Sequence, residues 1–527
     1  MFSVCCTMRR RSILAIGALC LSCSDAWMGL SALRPSINRT RQLSLSEGAQ
    51  SFDLVVIGGG SAGLTAAKFA STFGKSVVII EKDRLGGDCT WTGCVPSKTL
   101  LAAAKVAHTA RTASAYGVST GEVRVDFDVV KARVRSAIQK LYDQDDAPDA
   151  LTKRGIATMT GAATFVDAST LEVSVASGTT IVSAKEGVIV ATGASPAVPA
   201  IAGLDEVPHV TYEQIFELER LPETLTVVGG GPVGCELAQA FGRLGSRVTL
   251  VAPRLLPGSE PEASDAIEAV MEREGVRRVR SRAAAVRREG GGHALRVEAE
   301  GEAEVTGATL LIAVGRSPTV GGLNLEAAGV ELDGASGGIA VDAKLRTSSR
   351  GVFAAGDCTG GAQFTHYAGF QGAIAARNIL LPLNDPGVVA ERLPAVTFTS
   401  PQVASIGMSE AAAVAAFGRE AVRVETKPMA AVDRAVCDGV DDGLIKLVVR
   451  AKDGSLLGAT IVAEPAGELI SEIAVAMAAG VKLPALASII HPYPSYAIEL
   501  QRMAANVYYD SLKKNAGLYD VLKKVGL

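Results

Sequence analysis

One pattern occurs twice in this chain and fixes most of what it can fold into: an apolar strand, a G-x-G-x-x-G turn, a helix and a second strand. The first copy runs from Phe52-Asp53-Leu54-Val55-Val56-Ile57 through Gly58-Gly59-Gly60-Ser61-Ala62-Gly63, a helix from Leu64 to Phe73, and a strand from Ser76 to Ile80 closed by Glu81. The second runs from Leu225-Thr226-Val227-Val228 through Gly229-Gly230-Gly231-Pro232-Val233-Gly234, a helix through Phe241, and a strand from Ser246 to Val251. Unbroken apolar runs of this kind predict parallel strands buried on both faces. Each glycine has a mechanical role. Gly58 and Gly229 permit the tight turn, Gly60 and Gly231 let backbone approach a pyrophosphate, and Gly63 and Gly234 let helix pack on strand. The helix N-terminus then faces the phosphates.

Two such units predict two bound nucleotides. Glu81 is placed to accept hydrogen bonds from a ribose. In the second copy the strand ends at Ala252, where an acid would favour NADH, and Arg254 lies just beyond. Arg254 is either a partner for a 2′-phosphate or a solvated loop residue; the expectation is NADPH, with NADH as the alternative. Three more short apolar strands end in glycine: Val188-Ile189-Val190-Ala191-Thr192-Gly193, Leu310-Leu311-Ile312-Ala313-Val314-Gly315-Arg316, and Val352-Phe353-Ala354-Ala355-Gly356-Asp357. The first two are expected to end at a cofactor edge. After about Ala390 the pattern changes to sheet segments such as Leu444-Ile445-Lys446-Leu447-Val448-Val449, with helices from Gly467 to Ala479 and Ser495 to Val507, and no nucleotide motif.

Shortly after the first copy comes Gly86-Gly87-Asp88-Cys89-Thr90-Trp91-Thr92-Gly93-Cys94-Val95-Pro96-Ser97-Lys98. Two thiols at C-x4-C spacing can carry an electron pair reversibly as a disulfide. Residues five apart in a regular helix sit roughly 8 Å apart, beyond the usual disulfide reach of about 7 Å. The backbone from Cys89 to Cys94 therefore cannot be ideal helix when oxidised, and Gly86, Gly87 and Gly93 supply the freedom for a distorted turn. Pro96 suits the first turn of the helix that follows, and Cys94 near its N-terminus would have its thiolate favoured. Cys235, Cys358 and Cys437 have no comparable local partner.

Length predicts about three or four compact domains for these 527 residues. A formal net charge of −3 gives no basic footprint, which argues against a nucleic-acid partner. The N-terminus reads as a targeting segment: Met8-Arg9-Arg10-Arg11, a short apolar run from Ser12 to Cys23, then Ser24-Asp25-Ala26. Trp27 to Ser46 follows with Arg34, Arg39 and Arg41, several serines and no acid, which is transit-peptide composition. A signal peptide followed by such a stretch resembles the bipartite plastid presequences of algae with secondary plastids; secretion and mitochondrial import are the alternatives. No other run is long and apolar enough for a transmembrane helix, and no metal centre is expected.

Taken together, the redox loop, both glycine turns, Ala191-Thr192-Gly193, Gly315-Arg316-Ser317-Pro318 and Thr347 through Asp357 resemble the class I pyridine nucleotide-disulfide oxidoreductases, from Phe52 onward. That family includes glutathione reductase, dihydrolipoamide dehydrogenase and mercuric reductase. The resemblance implies an α/β fold with two Rossmann-like dinucleotide-binding domains and a C-terminal α+β dimerisation domain, hence a homodimer. The implied layout is a presequence over 1–50, an FAD-binding domain over 51–199 with a return segment over 319–390, an NAD(P)-binding domain over 200–318 and the dimerisation domain over 391–527. It implies FAD at the first glycine turn, with Asp357 on a ribityl hydroxyl, and NAD(P)H at the second. Cys94 would be the thiolate in charge-transfer contact with flavin, Cys89 the exposed thiol that attacks substrate, and Lys98 and Glu236 an ion pair near the flavin ring.

One stretch departs from the family pattern. Disulfide-reducing members use a His-Glu pair near the C-terminus, reaching in from the partner subunit, which dihydrolipoamide dehydrogenases show as H-x-H-P-T-x-S-E with the second His as base; here the sequence is His491-Pro492-Tyr493-Pro494-Ser495-Tyr496-Ala497-Ile498-Glu499. Anchoring on Pro494-Ser495 puts Tyr493 at the base position and Ile498 at the glutamate position; anchoring on His491 puts Tyr496 there instead. Tyrosine titrates near 10 and histidine near 6.5, so Tyr493 is a poor base at neutral pH, and His491 is a secondary acid/base or a structural residue. Mercuric reductases also carry tyrosine at this position, yet they end in vicinal cysteines, and Ala516 to Leu527 holds none. The expectation is a mercuric-reductase-like FAD oxidoreductase that passes electrons from NAD(P)H through Cys89 and Cys94 to a disulfide, a soft metal ion or a small electrophile. Hg(II) reduction proper, a dihydrolipoamide- or glutathione-type reductase, and a non-catalytic flavin-binding redox sensor are the alternatives.

Overall fold

The computed structural model describes residues 49–297 and 304–514, with Ala516 and Lys523 beyond. Of the presequence assigned to 1–50, residues 1–48 lie outside them, and its end is earlier than expected because Gln50 already opens the first strand, Gln50–Ile57. Two parallel sheets repeat one topology. In the first, the strands Ile156–Thr160, Val77–Glu81, Gln50–Ile57 and Gly178–Val190 lie side by side in that order. In the second, Arg277–Val279, Arg247–Val251, Thr224–Val228 and Thr309–Ile312 take the same places. Both therefore run third-second-first-fourth, the order whose reversal beside the first strand opens a phosphate-binding crevice. Val352–Ala354 joins the first sheet on the inner half of Gly178–Val190, and Thr170–Val175 pairs antiparallel with its outer half.

The duplication extends to atomic detail. The Gly58 N–H donates to the Ile80 carbonyl at 2.8 Å, and Gly229 N–H to the Val251 carbonyl at 3.0 Å. A Cβ on Gly63 would overlap the Gly58 carbonyl oxygen, and one on Gly234 the Gly229 oxygen, so only glycine lets each helix close on its strand. Helices Ser61–Thr72 and Pro232–Leu244 follow. The first starts three residues before the expected Leu64, because the third glycine belongs inside the first turn. Leu54, Val55 and Val56 are fully buried, as the unbroken apolar run requires, each side chain contributing about 1.5–3 kcal/mol.

The C-terminal part is a five-stranded antiparallel sheet, ordered Ala395–Thr397, Gln402–Gly407, Leu456–Ala463, Leu444–Arg450 and Val422–Pro428. It packs beneath helices Ala466–Ala478 and Ile498–Lys514. The last helix begins three residues after the expected Ser495. Ser495 Oγ accepts from the Ile498 N–H at 3.2 Å, so Ser495 caps the helix and stays outside it. One buried cation joins this sheet to the second nucleotide unit: Lys446 Nζ, 3% exposed, lies 3.2 Å from Glu260 and 2.8 Å from both Glu262 and Glu410. No helix among the described residues is long and apolar enough to cross a membrane.

Candidate active site

The redox loop is a helix broken in the middle. Gly87–Trp91 forms one helical turn, Thr92 and Gly93 leave it, and a second helix, Cys94–Thr112, starts on the second cysteine. Gly87 takes φ 58° and packs on the first glycine turn so closely that a Cβ would lie 2.7 Å from the Gly60 Cα. The break brings the Cys89 and Cys94 thiols together, both free and half-buried.

The two thiols are electrostatically unlike. Cys94 is held down to about 6, first by a hydrogen bond from Cys89, then by the Thr365 hydroxyl 3.1 Å away and by the Lys98 charge; burial opposes all three. Cys89 is pushed up by the same shared hydrogen bond, by burial and by the field of Cys94. The Cys94 position at a helix N-terminus adds to this polarity. Lys98 is fixed in turn: its Nζ lies 2.8 Å from Glu236 Oε2 and 4.4 Å from the centre of the Phe398 ring. Glu236 Oε1 accepts from the Phe398 N–H at 2.9 Å, so this buried carboxylate is satisfied on both oxygens.

The residues present fit FAD. The helix Ser61–Thr72 has no side-chain cap, leaving its first N–H groups open for phosphates. Glu81 closes its strand with Oε2 accepting from the Gly59 N–H at 2.6 Å. Arg316 reaches Asp88 in the redox loop, Asp357 at 3.1 Å and the ring face of Tyr212 at 5.3 Å. Burial pushes the Asp357 carboxyl up against the pull of Arg316. Two buried donors, Arg316 Nε and Thr92 Oγ1, have no hydrogen-bond partner among the described residues. Polar atoms so left are costly unless something else meets them. Ala191 N–H donates to the Ile57 carbonyl at 2.8 Å, and Gly193 O accepts from Thr319 N–H at 2.9 Å while Thr192 Oγ1 donates to the Thr319 carbonyl at 2.6 Å. The first glycine-ended strand is thereby tied to the segment after Gly315.

The second nucleotide seat is similar. Helix Pro232–Leu244 also lacks a side-chain cap, and nothing lies within 4 Å of where a Gly231 Cβ would stand. Arg254 is exposed, its Nε 3.3 Å from Ser264 Oγ. Bound FAD and NAD(P)H supply the hydride transfer; the chain's residues orient them and divide charge between the two thiols.

Tyr493 and His491 are neither hydrogen-bonded nor ion-paired to the redox loop within one chain. Tyr493 is 65% exposed, with the Arg502 guanidinium 5.6 Å from its ring centre. His491 has a carboxylate partner that neither sequence register reveals: Nε2 lies 2.9 Å from Glu472 Oε1 on helix Ala466–Ala478, and Nδ1 lies 2.8 Å from the Ile489 carbonyl. Both ring nitrogens face acceptors, so imidazolium is the form that fits. Burial works against that charge, but the Glu472 and Ile489 hydrogen bonds outweigh it and raise the pKa. Sequence reading also missed Thr365, Tyr212 and Asp146, of which none carries a local spacing signal, and gave no role to Asp88 within the redox loop.

Residues 52–372 match the family model described as pyridine nucleotide-disulphide oxidoreductase, and residues 393–504 match that family's dimerisation domain, which supports a homodimer. A mercuric reductase of Streptomyces lividans is 38% identical over 473 residues, spanning 88% of this chain and 97% of that protein. A dihydrolipoyl dehydrogenase of Chlorobaculum tepidum is 34% identical over 476 residues, spanning 88% and 98%. Among solved structures, the Cu(II) complex of the HOCl-induced flavoprotein disulfide reductase RclA from Escherichia coli superposes with a TM-score of 0.77 at 28% identity, covering 87% of this chain and 100% of that one. LpdA from Mycobacterium tuberculosis gives 0.78 at 30% identity, covering 87% and 99%.

Proposed function

The chain belongs to the pyridine nucleotide-disulphide oxidoreductase family, FAD- and NAD(P)H-dependent oxidoreductases, and from that premise we propose that its electron acceptor is a soft metal ion or small electrophile. The observation that carries this reading is the C-terminal segment. Tyr493 stands where disulfide-reducing relatives place their base, and both nitrogens of His491 are already engaged. A departing thiolate needs a proton, which histidine delivers near neutrality and tyrosine does not. A metal ion that accepts two electrons needs none. The mercuric reductase relatives point the same way. Cys89 is the thiol offered to the acceptor and Cys94 the one kept charged beside Lys98. NADPH is the proposed donor, on Ala252 at the strand end and exposed Arg254 beyond it.

Anaerobic titration of the purified enzyme with NADPH, then with Hg(II) bound by an external thiol and with a panel of disulfides, tests this. The expected result is a long-wavelength thiolate–flavin band discharged by the metal thiolate and not by lipoamide-type or glutathione disulfides. Rapid discharge by a disulfide alone would overturn it. We further infer plastid import from the basic, apolar and serine-arginine blocks of the leading segment. A fluorescent fusion of that segment that stays in the secretory pathway or enters mitochondria would overturn this.

A further inference from the structure

The helix Phe127–Leu141 ends in a widened turn, Tyr142–Asp146, closed by the Ala147 N–H donating to the Tyr142 carbonyl at 2.8 Å. Such π-helical turns cost regular hydrogen bonding and recur at functional sites. Here the turn aims two side chains at adjacent residues of the redox loop. The Tyr142 ring lies 5.0 Å from that of Trp91, and Asp146 Oδ2 accepts from the Thr90 hydroxyl at 2.9 Å. Asp146 is only 9% exposed. It closes against Gly86, where a Cβ would stand 3.1 Å from Oδ2. A buried carboxylate needs compensation, and this one has little. The cation facing it is Lys68 from the first glycine helix, at 3.9 Å; Asp145 beside it adds like charge and is itself paired with Arg154 at 3.2 Å. Arg84 lies over the Trp91 ring at 4.5 Å, and Cys89, one residue from Thr90, lies within the field of Asp146.

We propose that Asp146 is a positioning residue for the redox pair, whose buried negative charge keeps the proton on Cys89 while Lys98 keeps the negative charge on Cys94. Opening the S–S bond with the electron pair from NAD(P)H and one proton gives one thiol and one thiolate. Asp146 makes a second negative charge on the Cys89 side unfavourable, so the proton settles there. The field of Asp146 does raise the Cys89 thiol, beneath the larger effects of Cys94 and burial. Burial pushes the Asp146 carboxyl itself up, against Thr90 and Lys68, as expected for a carboxylate held where water would otherwise solvate it. This inference rests on Cys89 and Cys94 being the redox pair and not on which acceptor they serve.

The test is alkylation of the holoenzyme after anaerobic reduction by one equivalent of NADPH, with no acceptor present. Iodoacetamide modification of the Cys89 peptide is followed against pH by mass spectrometry. Asp146→Asn keeps an acceptor for Thr90 and removes the charge; it should move the Cys89 profile to lower pH by about one unit, or about tenfold in rate at fixed pH. Thr90→Val keeps the charge and should leave the profile in place, and Asp146→Glu should restore it. A profile unmoved in Asp146→Asn, or moved equally by Thr90→Val, would show a purely structural hydrogen bond and overturn the proposal. Should Asp146→Asn lose its flavin, Asp146→Ser carries the same expectation and the same refutation. Loss of the disulfide chemistry altogether would appear separately, as no change in Cys89 alkylation on adding NADPH.

Discussion

Thr365→Val isolates one contribution to the charge on Cys94. The Thr365 hydroxyl sits 3.1 Å from Cys94 Sγ, and towards a thiolate it can only donate. Cys94 lies at about 6 against an ordinary 9.0, a stabilisation of the thiolate by roughly 4 kcal/mol shared by Cys89, Thr365 and Lys98 against burial. A hydrogen bond to a charged group contributes about 1.5–3 kcal/mol, so losing this one should raise Cys94 by about one to two pH units. The assay is the thiolate–flavin absorbance of the enzyme reduced by one equivalent of NADPH, titrated across pH. The wild-type band should fade through about pH 6 on acidification, and that of Thr365→Val through about pH 7–8, with Thr365→Ser restoring the wild-type midpoint. An unmoved midpoint in Thr365→Val would refute the reasoning, because it would mean that Lys98 and Cys89 suffice.

Gly87→Ala places a Cβ 2.7 Å from the Gly60 Cα at φ 58°, and should yield protein purifying with substoichiometric FAD, read from the flavin-to-protein absorbance ratio. Lys446→Met leaves the buried Glu260 uncompensated and should cost about 3–5 kcal/mol, measured as a lower denaturant midpoint. Folding raises the His491 pKa, so the stabilisation from its imidazolium is full below the free value of 6.5 and is lost as pH rises through the folded value. Glu472→Gln should flatten that decline in thermal stability between pH 6.5 and the alkaline side, and a slope unchanged from wild type would remove His491 as its source.

The parts legible in the sequence are those whose causes are local. The glycine turns are set by backbone approach within a few residues, and the broken redox helix by the reach of a disulfide across five. What stayed hidden depends on long-range closure. Thr365 meets Cys94 across 271 positions, Arg316 meets Asp88 across 228, and Asp146 meets Thr90 across 56. A threonine, an arginine and an aspartate are ordinary residues until the fold removes water around them. Glu472 is a nearer miss, only 19 positions from His491. The family pattern places the glutamate downstream of the histidine, while the partner here sits upstream on another helix. Ser495 misled in the opposite way, since its favourable pattern for helix is that of a cap.

Proton accounting discriminates between acceptors more sharply than affinity does. The reduced pair carries one proton and one negative charge, held apart by groups of the same chain. Reducing a divalent metal ion to the element restores the disulfide and releases that proton, so no acid has to be supplied. Reducing a disulfide to two thiols restores it too, but consumes one proton beyond the one on Cys89. His491 cannot supply it without giving up the hydrogen bond to Glu472 or to Ile489, and a tyrosine side chain, ordinarily titrating near 10, is a poor proton donor at neutral pH. The oxidative half-reaction with a metal ion offered without thiolate ligands, whose reduction releases no leaving thiolate, should therefore hold its rate, or gain, as pH rises from about 6 to about 9, whereas any residual disulfide reduction should slow across that range. Stopped-flow decay of the thiolate–flavin band measures both. Disulfide reduction that stays fast and flat in pH would place a proton donor in the site that these residues do not provide.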